Sequence, residues 1–78
     1  MGYPSRETIT HLRECYPAGC RVQLDAMDDI QAPPIGTKGT VIGVDDIGSI
    51  MVRWDTGGRL SVVYGEDRCH RIEEDSHA

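Results

Sequence analysis

The sequence predicts a mainly β domain in which five short strands close a small barrel, with a short α-helix at the N-terminus. Two apolar runs, Thr40–Val44 and Ser49–Trp54, are bracketed by glycines and acidic turn residues, which reads as strand, tight turn, strand, tight turn. A third stretch, Cys20–Leu24, alternates apolar and polar residues with the period of a half-buried strand. The 78 residues make one domain, and a chain this small buries only about 60% of the surface its unfolded form exposes. With no Phe and a single Trp, its core has to come mainly from Val, Ile, Leu and Met. The reading divides the chain into a helical segment over 1–17 that packs on the barrel, the barrel over 18–72, and a disordered polar tail over 73–78.

Met1–Pro4 reads as a frayed end, and Ser5 as a helix N-cap with Glu7 in the first turn, where the helix dipole favours an acid. Ile9, Leu12 and Tyr16 share one helical face, and Pro17 ends the helix by pushing its predecessor out of the α region. A helix of about ten residues does not persist alone in water. Its narrow apolar stripe is expected to dock as a lid on one end of the barrel.

In the first strand Cys20, Val22 and Leu24 face inward, with Arg21 and Gln23 in water. Residues 25–35, DAMDDIQAPPI, have no strand pattern and form a long loop, extended at Ala32–Pro33–Pro34. Asp25, Asp28 and Asp29 lack the spacing and closing Glu of a calcium loop and read as turn-forming aspartates. Gly36–Thr37–Lys38–Gly39–Thr40 has the composition of a phosphate loop but the wrong order, and a strand follows it where a helix is needed.

Register in the two hairpins follows from keeping apolar residues on one face. A three-residue loop Thr56–Gly57–Gly58 pairs Asp55 with Arg59, Trp54 with Leu60, Val52 with Val62 and Ile50 with Tyr64. In the first hairpin the loop Asp46–Ile47–Gly48 pairs Val44 with Ile50 and Ile42 with Val52; alternatively, Val41 is the buried residue past a bulge. Gly65–Glu66–Asp67 forms a turn, and Cys69–Ile72 a last strand anchored by Ile72. Five short strands in about 55 residues, with a long loop after the first and a tight turn before the last, predict an SH3-like barrel.

The runs YPAGCRVQL, APPIGTKGTVIGVDDIG and VRWDTGGRLSVVYGED resemble a small bacterial family with an SH3-like barrel, described as a domain of unknown function and found in gut bacteria and their mobile elements. The resemblance covers about Ser5 to Ile72 and implies the fold, with no catalytic residues. Over Gly39–Ile72 the chain is also similar to the MIB/HERC2 domain, a peptide-binding barrel, through GTV and VRWDTGG, but it has Ser61–Tyr64 where that family carries Tyr-Arg. The Gly36–Val41 step is similar to KOW-type barrels, which bind RNA or ribosomal partners.

Composition narrows the partners. Thirteen acidic against eight basic residues give a net charge of −5, which repels phosphate backbones on average. No apolar run is long enough to span a membrane, no leader pattern opens the chain, and three cysteines suit a reducing compartment, so the expected location is cytoplasmic. Cys15, Cys20, Cys69 and His70 do not have zinc-knuckle spacing, since Cys69 and His70 point to opposite faces of a strand; the thiols read as small hydrophobes. A Cys15–Cys20 disulfide fits across the Pro17–Gly19 turn but not a reducing setting. No Cys–His–acid arrangement marks a nucleophile, so neither catalysis nor a cofactor or metal is expected.

The expected function is a non-catalytic protein-interaction or adaptor module with an unknown protein partner. Its candidate contact residues are Met27, Asp28, Asp29, Ile30, Pro33 and Pro34 in the long loop, with Trp54 and Tyr64 as nearby aromatics. For Trp54 the register also places the ring inward, at the core or rim. The alternative is a nucleic-acid-associated accessory protein of a mobile element using Arg53, Arg59 and Arg71, and a third reading is a regulator whose acidic face mimics nucleic acid.

Overall fold

A computed structural model describes residues 4–73; the expectations for Met1–Tyr3 and for the tail beyond Glu73 lie outside the described residues. The elements run α1 (Arg6–Cys15), β1 (Arg21–Ala26), β2 (Lys38–Val44), β3 (Ser49–Trp54), β4 (Val62–Val63) and β5 (Arg68–Ile72). The five strands form one antiparallel sheet in the order β4-β3-β2-β1-β5, so β4 and β5 are its two ends. No ladder joins them among the described residues; one isolated bridge, Tyr64 to Asp67, marks where the chain turns from one to the other.

The helix begins as the sequence predicts. The Ser5 hydroxyl accepts the Thr8 amide at 3.1 Å, satisfying a donor that no helical carbonyl reaches. Ile9 and Leu12 are buried against the sheet. Arg13 fastens the helix across the first hairpin, donating to the Val44 carbonyl at 3.2 Å and to Asp46 at 2.8 Å. Arg71 of β5 donates to the Cys15 carbonyl at 3.2 Å, placing a cation at the negative end of the helix.

Val22 and Leu24 of β1 point inward as expected, with Cys20 packed against the same core. The strand runs two residues further than its alternation indicates. Asp25 occupies a bulge and Ala26 pairs with Arg68, so the loop begins at Met27. β2 likewise starts at Lys38, because Gln23 and Val22 pair with Lys38 and Gly39. Both extensions come from partners distant in sequence. The core comprises Ile9, Leu12, Val22, Leu24, Val41, Val44, Ile50, Val52, Trp54 and Val62.

The first hairpin adopts the bulged alternative. Val44 pairs with Ile50 and Val41 with Val52, the register shifts between Val41 and Gly43, and Ile42 is left 46% exposed. The second hairpin departs from the expected register by two residues. Its three-residue loop is Asp55–Thr56–Gly57: the Trp54 amide donates to the Gly58 carbonyl and the Gly57 amide to the Trp54 carbonyl, both at 2.8 Å. Ile50 therefore faces Val62, and the predicted Ile50–Tyr64 and Asp55–Arg59 pairings do not form. A two-residue slip preserves the face of every side chain, so the inward set stays apolar. The Trp54 indole N–H donates to the Leu60 carbonyl at 2.8 Å, which draws 58–61 out of the ladder and leaves β4 only two residues long.

Candidate functional site

Between α1 and the turn that joins β4 to β5, a groove of about 400 Å³ opens. Leu12 and Tyr16 form its helical wall, Ile50 and Val62 its floor, and Tyr64, Arg68 and Cys69 the approaches from β4 and β5. Each position has a local cause. Leu12 and Tyr16 are one helical turn apart, and the Tyr16 amide donates to the Leu12 carbonyl at 2.8 Å, which fixes Tyr16 as the C-cap. Gly65, at φ +91, turns the chain. Asp67 closes that turn: its carboxylate accepts the Val63 amide at 2.9 Å, while the Val63 carbonyl accepts the Glu66 and Asp67 amides.

The Cys69 thiol and the Tyr16 phenol of the groove are held neutral. Burial, the Asp25 carboxylate and the Cys20 thiol push the Cys69 thiol up to about 11. Burial, then the Cys69, Cys15 and Cys20 thiols and Asp25, raise the Tyr16 phenol. Burial likewise raises the Cys20 thiol, with nearby Arg71 opposing it. These thiols are weak nucleophiles at neutral pH, because the thiolate is the reactive form. What the groove offers is apolar surface, two phenolic hydroxyls, and at its rim the exposed Arg68 guanidinium.

Of the candidate residues read from the sequence, the structure places only Tyr64 in this groove, 52% exposed. Trp54 is 2% exposed, so the inward alternative holds and the ring is no platform for a ligand. Met27 packs partly on the core, whereas Asp28, Asp29, Ile30 and Pro34 face solvent and Pro33 is half-buried. The loop satisfies itself: Asp29 accepts the Gln31 amide at 2.8 Å, and the Pro34 carbonyl accepts both the amide and the hydroxyl of Thr37. Ile30 stands 99% exposed. Leu12, Tyr16, Ile50, Val62 and Cys69 were read from the sequence as lid or core. Nothing in a linear pattern shows that two strand ends leave a gap beside them.

The opposite face of the sheet is polar. Directly paired residues share a face, which aligns Ile72, Arg21, Thr40 and Arg53 in one row and His70, Gln23 and Lys38 in the next, with the Asp55 amide donating to the Lys38 carbonyl just past the end of β3. Arg21 grips Asp55 with two bonds of 2.6 and 2.8 Å and reaches Thr40 at 3.0 Å. Hydrogen bonds from Arg21 hold the Asp55 carboxyl below its ordinary range. His70 Nδ1 meets both Asp25 oxygens, at 2.8 and 3.0 Å. Arg53 belongs to this face, but Arg71 pairs with Val22 on the helix side, so these two arginines do not form one basic patch.

The fold and site define a small antiparallel β domain, capped by one helix, with an apolar groove at the open ends of its sheet. Residues 5–72 match the sequence profile of the domain of unknown function DUF4314, and the chain belongs to that family. No curated protein and no solved structure matches it. No described helix is long and apolar enough to cross a membrane.

Proposed function

We propose that this domain is a non-catalytic protein-interaction module that takes an extended segment of a partner protein into the groove between α1, β4 and β5. The observation that carries the reading is the pair of strand ends flanking an apolar floor, with Tyr64 half-exposed at the rim. The Val63 N–H and C=O on β4 are taken by the 65–67 turn, so the segment pairs along the β5 edge, as an added strand does, while its alternate side chains fill pockets. In this reading the sheet is an SH3-like barrel left open at one seam, which the order β4-β3-β2-β1-β5 supports, since the first strand pairs with the last. Apolar residues of the segment meet Ile50 and Val62, and an acidic one meets Arg68.

The test selects peptides from a random displayed library on the whole domain, with counter-selection on Tyr64→Lys. The expected result is enrichment of apolar sequences whose binding shifts the NMR signals of Leu12, Tyr16, Val62 and Cys69. Enrichment of nothing, or shifts confined to 27–37, would overturn it. The alternative, a nucleic-acid-associated protein, would have to use the face bearing Lys38 and Arg53 and would lose affinity steeply with salt.

A further inference from the structure

His11 and Cys15 stand one turn apart on α1, and the Cys15 sulfur lies 3.4 Å from His11 Nε2 on the exposed side of the helix. Cys20 and Cys69 pack against the core. A zinc-class ion sits about 2.3 Å from a thiolate sulfur and about 2.0–2.1 Å from an imidazole nitrogen, so two ligands at a tetrahedral angle are about 3.5 Å apart. The pair already has that separation. We propose that His11 Nε2 and Cys15 Sγ form a two-residue chelate for a thiophilic divalent cation.

The surroundings act in both directions. Cys15 is the last residue of the helix, where the carbonyl ends carry partial negative charge and attract a cation. Arg71, donating to the Cys15 carbonyl, opposes the incoming ion. No three ligand-type side chains gather among the described residues, so the remaining coordination positions fall to water. This makes the site exchangeable, unlike the closed sets of structural zinc domains. Binding replaces the thiol proton: the Cys15 S–H bond breaks, an S–metal bond forms and the proton leaves to solvent, so affinity rises with pH. The chelate staples the turn holding Leu12 and Tyr16, and its existence does not depend on what occupies the groove.

The experiment titrates the reduced, metal-free full chain with Co²⁺ and follows the thiolate-to-cobalt charge-transfer band in the near ultraviolet. The band is expected to saturate at one ion per chain and to disappear on addition of Zn²⁺. Cys15→Ser should abolish it, and His11→Ala should weaken binding about tenfold or more. Cys20→Ser and Cys69→Ser should leave it unchanged. Both chelate residues lie on the helix surface, so far-ultraviolet circular dichroism of their variants checks that the fold is retained. No band at millimolar cobalt, a band surviving Cys15→Ser, or one indifferent to His11→Ala would overturn the proposal.

Discussion

The two hairpins share β3 and differ in how their turns are held. In the first, the Asp45 carboxylate accepts the Ile47 amide at 3.1 Å and the Ser49 amide at 2.8 Å, and the Asp45 amide donates to the Ser49 carbonyl at 3.0 Å. Gly48, at φ +89, closes this loop against Pro4. The ladder behind it runs the length of β2. In the second, Gly57 at φ +111 stands in open space, and beyond Gly58 the backbone leaves the ladder to supply the Leu60 carbonyl to Trp54. A side chain thus takes a backbone acceptor in place of cross-strand pairing, and the short β4 is the result. The first hairpin holds the core; the second leaves the edge that becomes the groove.

Trp54 belongs to both hairpins, so breaking it should have the largest effect. Trp54→Ala is expected to cost about 3–5 kcal/mol, read as a fall in the urea midpoint, with loss of the whole fold near room temperature. Asp45→Ala removes two bonds to a charged acceptor and should cost about 1.5–3 kcal/mol by the same measurement. Trp54→Phe sharpens the contrast. It keeps an aromatic ring in the core but deletes the bond to Leu60 and part of the buried volume, at about 1–3 kcal/mol, and hydrogen exchange should accelerate more at Val62 and Val63 than along β2.

The glycines give a finer comparison. A Cβ on Gly48 would lie 2.6 Å from Pro4 Cγ, whereas one on Gly57 meets nothing within 4 Å. Gly48→Ala should therefore destabilise more than Gly57→Ala, whose cost is the backbone conformation alone, about 1 kcal/mol. Thermal unfolding of the two variants side by side checks this, and equal losses would contradict the packed-versus-open distinction.

The smallest expected effect is in pH dependence. Because the folded Cys69 thiol titrates near 11 rather than at its ordinary 9.0, the unfolded chain releases that proton first as pH rises. Its contribution to stability is complete below about pH 9 and is lost on going toward 11. Cys69→Ala should flatten that decline. Asp55 works oppositely: its lowered pKa gives stability present above the ordinary carboxylate range and lost as pH falls through the folded value. Asp55 is half-exposed while Arg21 is mostly covered, so solvent screens the pair in part and the acid limb should be shallow and weaken with salt.

Most of the local sequence signals hold, the exceptions being Ile42, Tyr64 and the bounds of the second turn. Ser5 caps the helix, Ile9 and Leu12 bury its stripe, and Val22, Leu24, Val44, Ile50, Val52 and Trp54 face inward as their alternation requires. The resemblance of GTKGTV to a phosphate loop ends in a packing constraint. Gly39 sits where a Cβ would lie 2.9 Å from the Arg53 carbonyl oxygen and 2.6 Å from Val52 Cγ1. The candidate site was less legible. The loop 25–35 is the longest segment without a pattern, yet Asp29 and the Pro34 carbonyl accept bonds from Gln31 and Thr37 close by, and Asp25 pairs with His70.

By itself the sequence determined the helix, the first-hairpin loop and the inward faces of β1 and β3, because helix caps and the alternation of period two are properties of neighbouring residues. Register is not such a property. A slip of two residues leaves every face unchanged, and only the tertiary structure chose between Val62 and Tyr64 opposite Ile50. The choice rested on the Trp54 indole finding the Leu60 carbonyl and on Arg21, from a different strand, taking Asp55 away from Arg59. The same long-range choice left β4 short and placed Tyr64 at the rim of the groove.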